Sequence, residues 1–159
     1  MIGKKLGKLF TAIILALAAG LIGSLATFGS VNGWYGTLVK PSFNPPNWIF
    51  GPVWTTLYIL MGIALYLVWD RGLKKKKVQV AFWLFIIHLF VNAGWSIVFF
   101  GLHSLFGGFV VLCILWTFIV ALIWKFYEIN KWAAYLLVPY ILWVSFAGIL
   151  NTALWLLNR

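Results

Sequence analysis

Five runs of apolar residues, at approximately 6–29, 48–69, 78–101, 104–127 and 131–156, follow one another with only short interruptions of charge, proline or glycine. Each matches the roughly 20 residues that an α-helix needs to cross a bilayer core about 30 Å thick. This pattern constrains the fold more than any motif does. The expected architecture is all-α: an integral membrane bundle of five transmembrane helices, a single domain over 1–159, with a loop at 30–47. Composition agrees, since 64% of the 159 residues are hydrophobic and 9% are charged, and the mean hydropathy is +1.03. Soluble domains hold about 45–50% apolar residues. The only acidic residues, Asp70 and Glu128, sit at the ends of apolar runs.

The net charge of +10 does not point to nucleic acid, because the basic residues are confined to the gaps between apolar runs and no soluble domain presents them. Anionic lipid headgroups are the counterpart expected for "RGLKKKK" at 71–77. The single cysteine, Cys113, lies inside an apolar run, so neither a disulfide framework nor a metal-ligand spacing exists. It reads as a small packing residue. An "ALA" at 16–18 after a basic start imitates a leader and its cleavage site, but the apolar pattern continues to Phe28 and reads as a retained helix.

With five spans the termini fall on opposite faces. Of the twelve basic residues only Lys40 and Arg159 lie opposite the amino-terminal side. The positive-inside rule then places the amino terminus in the cytoplasm and the 30–47 loop and carboxyl terminus outside. This asymmetry, together with the lack of a transit-peptide pattern, points to a bacterial inner membrane. In the first helix Ala12, Ala16, Gly20 and Ser24 recur every four residues beside Ala19 and Gly23, which suits close backbone approach, either within the bundle or at a homodimer contact.

Polar residues inside a span are costly and mark candidate cavity linings. His88, Asn92, Trp95 and Phe99 share one face of the third helix, and Tyr140, Trp143, Ala147 and Asn151 form a stripe on the fifth, where Pro139 loosens the backbone ladder. Trp54, Tyr58, Met61 and Leu65 do the same on the second. Under the orientation above, Trp54, Tyr58, Asn92, Trp95, Ala147 and Asn151 lie in the outer halves of their helices, beneath the loop. The inference is an outward cavity walled by indole and phenol rings, suited to a large, flat, mostly apolar guest. Other roles remain open for several residues. Trp48, Trp69, Trp124, Trp132 and Trp155 suit interfacial belts, and Trp116 suits packing or a lipid-facing position. Asn92 is either a guest contact or interhelical glue. His88 is either a haem ligand or a buried histidine bonded to a neighbouring helix.

The loop itself, "WYGTLVKPSFNPPNWIFGPVW" at 34–54, holds four of the chain's five prolines. Pro41, Pro45, Pro46 and Pro52 restrict its unfolded alternatives, giving either a preorganised lid or simply the start of the second helix. Its Trp34, Tyr35, Leu38, Lys40, Pro41, Pro45, Pro46, Trp48, Phe50, Pro52, Trp54, Leu57 and Tyr58 together resemble the signature of the translocator protein family, TspO, also called the peripheral benzodiazepine receptor family. "NAGWS" at 92–96 and "PYILWVSFAGILN" at 139–151 resemble its other signatures. The resemblance covers essentially the whole chain. It implies five-helix, often dimeric membrane proteins that bind porphyrins such as protoporphyrin IX and haem and, in animals, cholesterol and benzodiazepine-type drugs. Carried onto this sequence, it implies a ligand pocket of Tyr35, Pro45, Trp54, Asn92, Trp95, Trp143, Phe146 and Ala147, beside Tyr58 from the stripe reading, with the porphyrin as guest and no required cofactor. Sterol binding transfers less well, since "LNTALWLLNR" from 150 places Thr152 and Ala153 where animal members carry a tyrosine; Leu60, Tyr66 and Arg71 meet the loose sterol consensus elsewhere.

Three functions follow for comparison: porphyrin sensing or transport, which the resemblance implies; light- and oxygen-dependent porphyrin degradation assisted by Trp54 and Trp143, which the resemblance also implies from proposals for some members; and helix-binding assembly through the small-residue faces. Lys40 is placed to meet a porphyrin propionate, a headgroup or a helix carboxyl end. Hydrolytic or acid-base catalysis lacks its carboxylate pair or nucleophile and base, and a pump lacks its buried carboxylate relay.

Overall fold

A computed structural model describes residues 2–159. Five helices among them are long and apolar enough to cross a membrane. The elements are α1 (Ile2–Thr27), α2 (Trp34–Thr37), α3 (Asn47–Trp69), α4 (Lys76–Ser96), a π-helical turn (Ile97–Gly101), α5 (Leu105–Tyr127), α6 (Lys131–Tyr135) and α7 (Val138–Leu157). The protein is an all-α integral membrane bundle. In hydrocarbon the backbone has no water to bond, so each span closes its ladder internally and stays helical over most of its length.

Three expected details differ. The run at 131–156 is two helices, because Pro139 has no N–H to offer the carbonyl of Tyr135 and its ring crowds that position. The chain instead breaks at Leu136 and Leu137 and restarts with Pro139 in the first turn of α7, where a missing N–H costs nothing. The third span ends not as α-helix but in the π-helical turn, closed by Leu102 N–H donating to the Ile97 carbonyl at 2.9 Å. The loop before α3 contains the short helix α2, and α3 starts directly after Pro46.

α1 packs along α3 and α4, α4 along α5, and α5 along α7, with α6 lying between α5 and α3. The small-residue stripe of α1 is spent inside the bundle: Ala12 and Ala16 are fully buried, the Tyr58 ring lies against Gly20, and Ser96 faces Gly23. Backbone meets backbone at Gly62 of α3 and Ile13 of α1, where an added Cβ would fall 2.5 Å from the Ile13 Cα. Only glycine lets these two backbones meet. α3 and α7 are joined mainly through rings, Phe50 on Trp143 at 5.9 Å and Trp54 on Tyr140 at 6.2 Å. At the basic end of the bundle Asp70 receives Lys8 at 3.3 Å and Lys5 at 3.9 Å, tying α3 to the start of α1.

Candidate functional site

In the half of the bundle nearer the 28–46 loop, the helices stand apart around a cavity of about 680 Å³. α1 supplies Leu17, Gly20 and Gly23 to its wall, α3 supplies Phe50, Trp54 and Tyr58, α4 and the π-helical turn supply Trp95, Ser96, Phe99 and Phe100, and α7 supplies Ala147, Leu150 and Asn151. Tyr35 covers it from α2. One continuous aromatic stack forms the wall: Tyr58 on Trp54 at 5.6 Å, Trp54 on Trp95 at 6.1 Å and Trp95 on Phe99 at 5.4 Å, each pair within 30° of parallel. The π-helical turn matters here. Its extra residue per turn shifts the helix phase so that Trp95, Phe99 and Phe100 all reach the same space. On the same wall, Trp95 Nε1 and Asn151 Oδ1 have no hydrogen-bond partner among the described residues, while Asn151 Nδ2 donates to the Leu105 carbonyl at 3.2 Å.

Beneath the cavity lies a buried chain of hydrogen bonds across α3, α4 and α7. Tyr58 Oη donates to Asn92 Oδ1 at 2.5 Å, and Asn92 Nδ2 donates to Tyr140 Oη at 2.8 Å. His88 Nδ1 faces the Phe85 carbonyl at 3.3 Å, which can only accept, so Nδ1 holds the proton and Nε2 accepts from Tyr140 Oη at 2.8 Å. The directions are thereby fixed from end to end. His88 is fully buried with both ring nitrogens engaged, which is the structural role among the two left open for it. Asn92 is likewise 2% exposed and acts as interhelical glue, set back from the cavity behind Tyr58.

The loop is fastened over the cavity by side chains far apart in sequence. Asn158, past the end of α7, brackets the Val39 backbone, accepting from its N–H and donating to its carbonyl, both at 2.9 Å. Tyr35 Oη donates to Asn44 Oδ1 at 2.7 Å, and Ser30 Oγ donates to the Phe100 carbonyl at 2.9 Å. Burial pushes the Tyr35 phenol up from its ordinary pKa, and the bond to Asn44 acts in the opposite direction. Lys40 sits 4.9 Å over the Tyr35 ring and donates to the Gly36 carbonyl at 3.4 Å, the helix-end role among the three open to it.

Of the residues expected at the site, the structure brings Tyr35, Trp54, Tyr58, Trp95 and Ala147 to one cavity. Pro45 stays in the loop, its carbonyl accepting from Asn44. Trp143 and Phe146 lie together at 5.5 Å on a separate shallow groove between α3 and α7, with Pro52, Leu60 and Leu142. Sequence reasoning missed Phe50 and Phe100 on the wall and Asn158 in the lid. The first two carried only the general signal of aromatic residues near the loop, and Asn158 carried none.

A ring-walled cavity within a bundle of five apolar spans defines a class: integral membrane proteins with an internal aromatic cavity. The chain belongs to the TspO/MBR family, whose profile matches residues 12–156. It is 48% identical to the Tryptophan-rich protein TspO of Chlorobaculum tepidum over 98% of each chain. It is 38% identical to the Protein CrtK of Rhodobacter capsulatus over 94% of this chain and 92% of that one. Against the Translocator protein of Homo sapiens the identity is 37% over 84% of this chain and 80% of that one.

Proposed function

We propose that the protein binds a tetrapyrrole, protoporphyrin IX or haem, within the membrane and acts in porphyrin sensing or transport or in the regulation of tetrapyrrole metabolism. The observation that carries this reading is the Tyr58, Trp54, Trp95 and Phe99 stack along one cavity wall. A planar macrocycle lying against it gains about 0.5–1.5 kcal/mol per ring pair beyond simple burial. The cavity volume falls inside the range of about 300–1,000 Å³ that small-molecule sites occupy.

The same reading puts the basic end of the bundle in the cytoplasm of a bacterial cell and the lid outside. It also has the protein working as a homodimer through lipid-facing surfaces other than the α1 stripe, which is already occupied within the bundle. The test is a titration of purified protein with protoporphyrin IX, followed by tryptophan quenching. Trp54→Ala is expected to weaken binding at least tenfold, roughly 1.4 kcal/mol; affinity equal to the parent's overturns the site.

A further inference from the structure

Resting on that reading of the guest as a mostly apolar macrocycle, we propose that it exchanges sideways with the bilayer, through a slot between the loop-side halves of α1 and α3, and not with water through the lid. Ile14, Ala18 and Leu21 on α1 and Gly51 and Thr55 on α3 line the cavity and are exposed. Their spacings of four and three on α1 and four on α3 make two facing stripes, the lips of an opening. Below them the helices close at Gly62 and Ile13, which ends the slot at the level of the solid core. Thr55 lies eight residues into α3, about 12 Å from its start, so the opening reaches into hydrocarbon and not only the headgroups.

The lips are apolar in chemistry as well as position. Ser24 Oγ donates to the Leu21 carbonyl at 2.7 Å and Thr55 Oγ1 to the Gly51 carbonyl at 2.9 Å, so the rim hydroxyls are satisfied by their own helices and turn no free donor toward lipid. A macrocycle passing between them therefore breaks no hydrogen bond of the rim. The lid offers the opposite case. Opening it costs the paired Asn158 bonds to Val39, the Tyr35 bond to Asn44 and the Ser30 bond to Phe100. Partition into the membrane also concentrates an apolar molecule at the slot and depletes it at the lid.

The test uses the full chain in phospholipid vesicles with Cys113→Ser, since Cys113 is exposed, and Thr55→Cys carrying a bulky tag through a disulfide. Protoporphyrin IX association and dissociation are followed by stopped-flow quenching. The tag is expected to slow both rates at least tenfold, reduction of the disulfide to restore them, and Asn158→Ala to leave them within twofold. Unchanged rates in the tagged protein, or a tenfold acceleration by Asn158→Ala, overturns the slot. If the untagged protein does not bind the porphyrin at all, the tetrapyrrole reading fails, and the same rates measured with an apolar solvatochromic dye decide the slot by the same two outcomes.

Discussion

Below Tyr58 the bundle is solid; above it the same helices stand apart around a cavity. The lower half packs Phe85, Phe126, Met61, Leu65 and Leu115 without exposure and satisfies its polar groups internally, from Tyr58 through Asn92 and Tyr140 to His88. The upper half leaves an indole N–H and an amide oxygen unpaired on an aromatic wall. What separates the halves is the use made of small residues on α1 and α3. Below, Gly62 lets two backbones touch; above, Gly20 and Gly23 leave floor space for Tyr58 and Ser96, and no side chain fills what remains. Rigidity and vacancy are thus built from the same residue type, depending on whether the opposite helix advances into the space.

Breaking the lower half at its tightest point gives the largest effect. Gly62→Leu drives a side chain into the Ile13 backbone and is expected to cost about 3 kcal/mol or more of stability, read as a lowered thermal midpoint in detergent. Tyr140→Phe removes the hydroxyl that accepts from Asn92 and donates to His88. Its expected cost is about 1–2 kcal/mol, at the upper end for interhelical bonds in membranes, with protoporphyrin affinity within threefold of the parent because Tyr140 lies below the cavity. A larger loss of affinity than of stability would erase the boundary between the halves. Trp143→Ala sharpens the same boundary on α7: its ring belongs to the outer groove, so binding is expected to change by less than threefold, about 0.7 kcal/mol, where Trp54→Ala changes it tenfold. Asp70→Asn, at a half-exposed ion pair, is expected to move stability by no more than about 0.5 kcal/mol at moderate salt.

The sequence makes the five spans legible, because length and apolarity are local properties and lipid enforces helix wherever they occur. It also shows the α1 stripe, whose four-residue period survives into the packed structure. Helix rotation is less legible. Tyr140, Trp143, Ala147 and Asn151 read as one stripe, yet at about 100° per residue Trp143 sits roughly 60° from Tyr140. That offset is enough to carry its ring past the cavity into the groove against Phe50 and Phe146. The polar residues of α4 and α7 were visible separately, but nothing local joins Asn92 to Tyr140, whose contact depends on how two helices turn toward each other. The π-helical turn at "IVFFG" has no local signature, and the Asn158 clamp pairs groups 119 residues apart. Pro139 announced a weakened ladder, though hydropathy alone ran the span through it.

The fixed direction of the buried chain reaches further than anchoring. Because Tyr58 gives its only proton downward to Asn92, the ring facing the guest has no hydrogen left to offer. Whatever settles on that floor meets a flat face that donates nothing, so of two molecules with equal silhouette the one that buries an acceptor there leaves it unpaired and is the more weakly held.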